Sequence, residues 1–165
     1  MKILIGLVSG LVLLFMLVWI IGMFLPEKHR ASVAQTFQTS PEKLWHVLID
    51  FQTYPSWRSD IKAVKKLPSD NGYEVWQEQG KHGDVAYATV ESTPNKFLVR
   101  KIVTQGLPYG GRWSLQLKPA EQGCNLTITE DGEVYNAFFR FMSRYVFGHS
   151  ASIRKFIQDL EKELR

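Results

Sequence analysis

Residues Ile3 to Leu25 form an uncharged run of 23 residues, interrupted only by Gly6, Ser9, Gly10 and Gly22. A helix of that length rises roughly 34 Å, enough to cross a hydrocarbon core of roughly 30 Å. A cleaved signal peptide would have a shorter apolar region and a small-x-small site at its end. The run ends in Gly22-Met23-Phe24-Leu25-Pro26, a poor match to such a site. The sequence therefore predicts an uncleaved single-pass anchor over residues 1–26, closed by Pro26 and followed by a charged linker at 27–30, Glu27-Lys28-His29-Arg30. Residues 31–165 remain for one domain. Under the positive-inside rule Lys2 competes with Lys28 and Arg30. A two-residue head with a lysine resembles a signal anchor, which places the domain on the non-cytoplasmic side.

The run also distorts the composition. The chain is 45% hydrophobic over 165 residues; without the apolar head the fraction is roughly 39%, that of an ordinary soluble domain. Disorder and polytopic membrane architecture are excluded. The net charge is +4, of which Lys2 supplies one unit, and the remaining +3 is too mild for a nucleic-acid partner. A single cysteine, Cys124, excludes an internal disulfide and a multi-cysteine zinc site.

Within the domain the hydrophobic period changes twice. Val33, Gln35 and Phe37 alternate with Ala34, Thr36 and Gln38 as in a strand. Ser40 then offers an N-cap and Pro41 a first helical residue, and Leu44, Val47, Leu48 and Phe51 share one helical face. Tyr54-Pro55-Ser56-Trp57 makes a turn or a short second helix. From Ile61 to Glu130, six strand-like runs are separated by turn residues, including Asn71-Gly72, a hairpin signal. Short turns between consecutive strands predict an antiparallel meander. Trp113, Leu115 and Leu117 on one run, and Leu126 and Ile128 on the next, give the sheet an apolar face that needs a cover. Phe138, Met142, Tyr145, His149, Ile153, Phe156 and Leu160 recur at steps of three and four, so the tail reads as one long amphipathic helix capped by Asn136.

This order of elements, with Phe37 through Trp45 and Asp50 to Tyr54-Pro55-Ser56-Trp57, resembles the START-like helix-grip (SRPBCC) superfamily. Its polyketide cyclase/dehydrase and lipid-transport-like branch is the nearest in pattern. Gly106-Leu107-Pro108-Tyr109-Gly110-Gly111-Arg112-Trp113 carries the resemblance, as does Leu126 through Asn136 with Phe139-Arg140-Phe141. The resemblance covers residues 31–165. It implies an α+β fold: a curved antiparallel sheet of about six to seven strands wrapped around a long C-terminal helix, with a hydrophobic cavity between them. It implies little about chemistry, because the superfamily includes carriers, cyclases and interaction modules.

Catalytic signatures are mostly absent: there is no Gly-x-Ser-x-Gly, no phosphate-binding glycine loop and no His-Glu-x-x-His. No catalytic residue, metal ligand or cofactor is assigned. His29, His46, His82 and His149 are scattered, with no ligand pair at helical spacing. His149 alone falls on an apolar face, where it is either a cavity donor or acid/base group, or a packed histidine. Glu130 shares strand parity with Leu126 and Ile128, and an inward carboxylate needs a partner. Arg100, in parity with Leu98 and Ile102, is the candidate cation. Trp57, Trp76, Tyr87, Tyr109, Trp113, Phe138, Met142 and Tyr145 complete the candidate ligand-binding set, since pockets for apolar ligands use such side chains with few polar groups. A filled core would use the same residues. Phe138, Phe139, Phe141, Tyr145 and Phe147 crowd around Arg140 and Arg144, too many for one helical face to bury. With Leu107 and Tyr109 they are expected to form a cavity mouth facing a bilayer.

The function this supports is a membrane-anchored binding or transfer module whose partners are a hydrophobic small molecule and, through the first helix, the membrane. An acid/base cyclase or dehydratase and a protein-partner module with a vestigial cavity are the alternatives.

Overall fold

The computed structural model describes residues 2–70, 72–81 and 83–165, so Asn71 of the hairpin signal and His82 lie outside the described residues. Helix α1 spans Lys2–Met23. Strand β1, Lys28–Phe37, is followed by α2, Pro41–Ile49, a single 3-10 turn at Phe51–Thr53 and the short helix α3, Tyr54–Trp57. Six strands follow: β2 Ile61–Asp70, β3 Tyr73–Gly80, β4 Gly83–Thr93, β5 Phe97–Ile102, β6 Tyr109–Ala120 and β7 Gly123–Val134. The tail forms α4, Ala137–Met142, a π-helical turn at Ser143–Phe147, and α5, Ala151–Glu163.

All seven strands join one antiparallel sheet in the order β1-β7-β6-β5-β4-β3-β2. Strands β2 to β7 are the meander that the turn chemistry predicts. The chain starts on one edge, and α2 and α3 carry it across the concave face to the other. Ser40 caps α2 by accepting a hydrogen bond from the Lys43 amide at 3.2 Å. Register shifts at Ile61/Ala63 and at Thr89/Glu91 are irregularities of the kind that bend a strand and increase its twist. Leu44 and Leu48 of α2, Leu115, Leu126 and Ile128 of the sheet and Ile153, Phe156 and Leu160 of α5 form one buried core with Tyr54 and Trp76. Cys124 is buried and free.

Three expectations need correction. The segment 27–30 is not a linker beyond Glu27, because Lys28, His29 and Arg30 are the first residues of β1 and pair with Glu133, Gly132 and Asp131. Lys28 and Arg30 also face Glu133 and Asp131 at 3.8 and 3.4 Å, so charge complementarity across the ladder replaces the apolar alternation by which a strand is usually read. The tail is not one helix: after the π turn the chain leaves helical geometry at Gly148 (φ 78°), and only α5 lies in the grip of the sheet. Third, Tyr109, Gly110 and Gly111 belong to β6 and not to the preceding loop, pairing with Val134, Glu133 and Gly132.

Gly111 explains how β6 can start there. It sits at φ 127°, and a Cβ at this position would lie 2.4 Å from the Asp131 carbonyl oxygen. Gly111→Ala is therefore expected to destabilise the protein by about 2 kcal/mol, roughly 4–8 °C in Tm. A thermal melt of the variant checks it, with no effect expected from Gly106→Ala beyond its φ penalty, since nothing approaches that Cβ.

Candidate functional site

Because α5 covers only part of the concave face, a cavity of about 810 Å³ remains between the sheet, the α4 segment and the first turns of α5. Its walls alternate along the strands as the parity of the sequence requires. Trp76 and Glu78 come from β3, Tyr87 from β4, Arg100 and Ile102 from β5, Tyr109 and Trp113 from β6, and Glu130 from β7. Met142, Phe139 and Phe147 close it on one side, and Phe156 and Lys155 of α5 on another.

Eight of the eleven residues singled out in the sequence line this cavity: Trp76, Tyr87, Arg100, Tyr109, Trp113, Glu130, Met142 and His149. Three lie elsewhere. Trp57 is core, its ring edge-on to Tyr54 at 5.1 Å and to Phe156 at 5.5 Å, because the α3 turn points it beneath α5. Phe138 faces away from the cavity and stacks on Phe15 of α1 at 5.5 Å. Tyr145 is exposed on the π turn and packs on Phe141 at 5.0 Å. The π turn carries Tyr145 out of the stripe that a continuous helix would have made.

The polar groups form two separate clusters. In the first, Arg58 Nη1 donates to Glu78 at 2.8 Å and its Nη2 donates to Asp60 at 2.8 Å, while the Trp76 indole donates to the other Glu78 oxygen at 3.1 Å. The Arg58 guanidinium lies 5.3 Å from the Tyr54 ring centre and 5.4 Å from that of Phe156. Although burial works against its charge, the carboxylates of Glu78 and Asp60 hold it above its ordinary value. Arg100 is not the partner of Glu130. It donates to the Tyr54 hydroxyl and to the Leu48 carbonyl, and so ties β5 to α2 and α3. Burial pushes the Tyr54 and Tyr87 phenols up, which keeps both neutral.

In the second cluster Glu130 receives the Trp113 indole at 2.7 Å and the Ser152 hydroxyl at 3.0 Å, and lies 3.0 Å from His29 Nε2. His149 stacks on His29, ring centres 4.1 Å apart, and its Nδ1 has no hydrogen-bond partner. Burial, with the positive field of His29 and Arg144, holds His149 below its ordinary value, against an upward pull from Glu130. Beyond the cavity, Asp159 is 1% exposed. Burial pushes it up, but hydrogen bonds from Lys155 and from the Ser59 amide and hydroxyl outweigh this and hold it low.

Sequence reasoning missed Arg58, Glu78 and His29. Glu78 was accessible by parity, two residues from Trp76 on the same strand. Arg58 and His29 had no signal, since each sits in a charged stretch and is placed only by a partner 20 or 101 residues away.

Residues 28–165 match the family model described as "Polyketide cyclase / dehydrase and lipid transport". The chain belongs to that family. The match begins at the first residue of β1 and leaves out α1. A search of curated proteins found no match. Among solved structures, the chain is similar to the di-domain ARO/CYC StfQ of the steffimycin biosynthetic pathway, at a TM-score of 0.67 and 10% identity, covering 83% of this chain and 50% of that one. It thus spans about half the length of StfQ. It is also similar to the Zhui aromatase/cyclase from Streptomyces sp. R1128, at a TM-score of 0.65 and 11% identity, covering 83% and 93%. A START superfamily protein from Mycobacterium smegmatis gives a TM-score of 0.64 at 16% identity, covering 82% and 97%. At these identities the likeness establishes the helix-grip fold, and the family match places the chain among ligand-binding and cyclase-type modules.

Two measurements check the electrostatics. Arg58→Met leaves Glu78 buried beside one indole donor and is expected to cost about 3–5 kcal/mol, with part of the loss recovered in Arg58→Met/Glu78→Gln. His149 has a lower value folded than its ordinary 6.5. Protonation therefore opposes folding: stability is full above that value and declines as the pH falls below it. Urea titrations of His149→Phe should show this part of the acid limb flattened.

Proposed function

We propose that this protein is a membrane-anchored binding or transfer module for a hydrophobic small molecule of the lipid, isoprenoid or polyketide-like kind. The carrying observation is the cavity: about 810 Å³, walled largely by aromatic and aliphatic side chains with polar groups set among them. The anchor reading rests on α1, of which Ile3–Met23 is long and apolar enough to span a bilayer. Length and composition alone suit a signal sequence equally, but α1 also packs on α4, stacking Phe15 on Phe138, and that supports a retained helix. On this reading Trp76, Tyr87, Tyr109, Trp113 and Met142 contact the apolar body of the ligand, Arg100 and Glu130 hold the walls in place, and His149 offers an unpaired ring nitrogen.

Binding is favoured over acid/base catalysis by how the acids are used. Asp60, Glu78, Glu130 and Glu133 line the cavity, and each accepts a hydrogen bond from a neighbouring side chain. Each of these carboxylates is thereby engaged in bracing the wall. One observation favours a cyclase-type reading, namely that neutral His149 borders the cavity with an unpartnered nitrogen.

Native mass spectrometry of the full chain released from detergent tests the proposal. A co-purifying apolar adduct is expected, and Ile102→Trp, which fills the cavity from β5, should reduce its occupancy about tenfold without lowering Tm. An empty protein from every preparation, or an adduct indifferent to Ile102→Trp, would refute it.

A further inference from the structure

A second, smaller cavity of about 160 Å³ lies where α1, β1 and α4 meet. Its wall combines Leu25 to Arg30 with Val134, Arg140, Ser143, Arg144 and His149. The charges are unequal. Four cations lie in its wall: Lys28, Arg30 and Arg140 are paired with Glu133, Asp131 and Glu27 at 3.8, 3.4 and 3.5 Å, and Arg144 is left over. Arg144 makes no salt bridge among the described residues, its guanidinium lying 6.0 Å from the Tyr145 ring. Arg140 donates through Nη1 to the Leu25 carbonyl at 3.0 Å and through Nη2 to the Tyr135 carbonyl at 3.2 Å, which leaves its buried Nε without an acceptor. The buried Nδ1 of His149 is likewise unpartnered. Two of the four buried side-chain nitrogens left unsatisfied among the described residues therefore belong to the wall of this one small cavity. The Arg140 Nε–H and the Arg144 guanidinium are thus donors without an anionic partner among the described residues.

Its position says where the anion comes from. The hollow begins two residues after the end of α1 at Met23, the level at which a span leaves the hydrocarbon. Gly22 there meets α4 so closely that a Cβ would lie 1.9 Å from the Ala137 carbonyl oxygen, which fixes α4 beside the last turns of the span. The turn that follows α4 presents Tyr145, Val146 and Phe147 at 60%, 57% and 63% exposure, and the apolar residues of α1 are likewise exposed. Exposed aromatics next to cations are the composition of an interfacial segment, with apolar groups in the acyl boundary and arginines among headgroups. The hollow also shares His29, Val134, Ser143 and His149 with the large cavity.

We propose that this hollow binds the phosphate headgroup of an anionic membrane lipid, at the point where the large cavity opens towards the bilayer. Arg140 and Arg144 take the phosphate, the Ser143 hydroxyl, which otherwise donates to the Arg140 carbonyl at 3.0 Å, turns to donate to it, and the acyl chains lie along Tyr145 to Phe147. The proposal rests on α1 being a membrane span. Its test therefore begins with flotation of the full chain on phosphatidylcholine vesicles, which reads the anchor alone: failure to float would overturn the anchor and this site together.

Headgroup selectivity is then read by native mass spectrometry of the floated protein extracted into detergent, with phosphatidylglycerol and phosphatidylcholine as competing probes. Retention of phosphatidylglycerol about tenfold above phosphatidylcholine is expected, falling about three- to tenfold in Arg144→Gln and in Ser143→Ala and less in Arg144→Lys. Arg140 is left unaltered because it also ties α4 to the end of α1. Equal retention of the two lipids by a chain that floats would overturn this site and leave the anchor standing. Unchanged retention in both Arg144→Gln and Ser143→Ala would overturn it too. Displacement of the lipid by inorganic phosphate at about 1 mM would show that free phosphate suffices and would overturn the assignment to lipid. Ile102→Trp separates this site from the cavity ligand, since it empties the large cavity and is expected to spare phosphatidylglycerol.

Discussion

The structure turns on a mismatch of size between the sheet and the helix it grips. Seven strands spaced about 4.8 Å apart make a surface roughly 29 Å wide, whereas the thirteen residues of α5 give a rod about 20 Å long and about 10 Å thick. One such helix cannot cover the concave face. Where it does, Ile153, Phe156 and Leu160 pack against Leu115, Leu126 and Ile128, and all six are buried. Where it does not, the apolar wall is left lining a cavity, and polar struts brace the uncovered strands.

Those struts are specific. Arg58, just after α3, binds Glu78 on β3, and Arg100 binds β5 to the Leu48 carbonyl and Tyr54 on the crossing helices. Glu130 gathers Trp113, Ser152 and His29 from β6, α5 and β1. Each charge is held by several partners away from bulk water, the arrangement in which removing one partner costs far more than the pair itself contributes. The acids are thereby committed to architecture.

The break at Gly148 has a further effect on the way the cavity meets its surroundings. A continuous tail helix would have placed Phe138, Met142 and Tyr145 on one inward stripe. Instead the π turn and Gly148 divide the segment: Met142 still faces the cavity, Phe138 turns to α1, and Tyr145 turns outward. The tail thus serves two surfaces at once, and α1 becomes mechanically continuous with the cavity rim through Gly22, Phe15 and the Leu25 carbonyl.

Local rules were enough for what depends on period and turn chemistry. The length of the apolar run, the alternation in β6 and β7, the Ser40 cap and the turn residues between strands specify a helix, an antiparallel meander and its apolar face, because each signal lies within a few residues of what it determines. The same parity brought Trp76, Tyr87, Trp113 and Glu130 to one face. What the sequence by itself could not decide is every feature set by partners far along the chain. The charged start of β1 is a strand only because Asp131 and Glu133 lie opposite, and His29 enters the cavity wall only through that register. Arg100 chose the Leu48 carbonyl over Glu130, and the tail broke at Gly148, because the space left between sheet, α2 and α1 is a property of the packed whole and not of any window of residues.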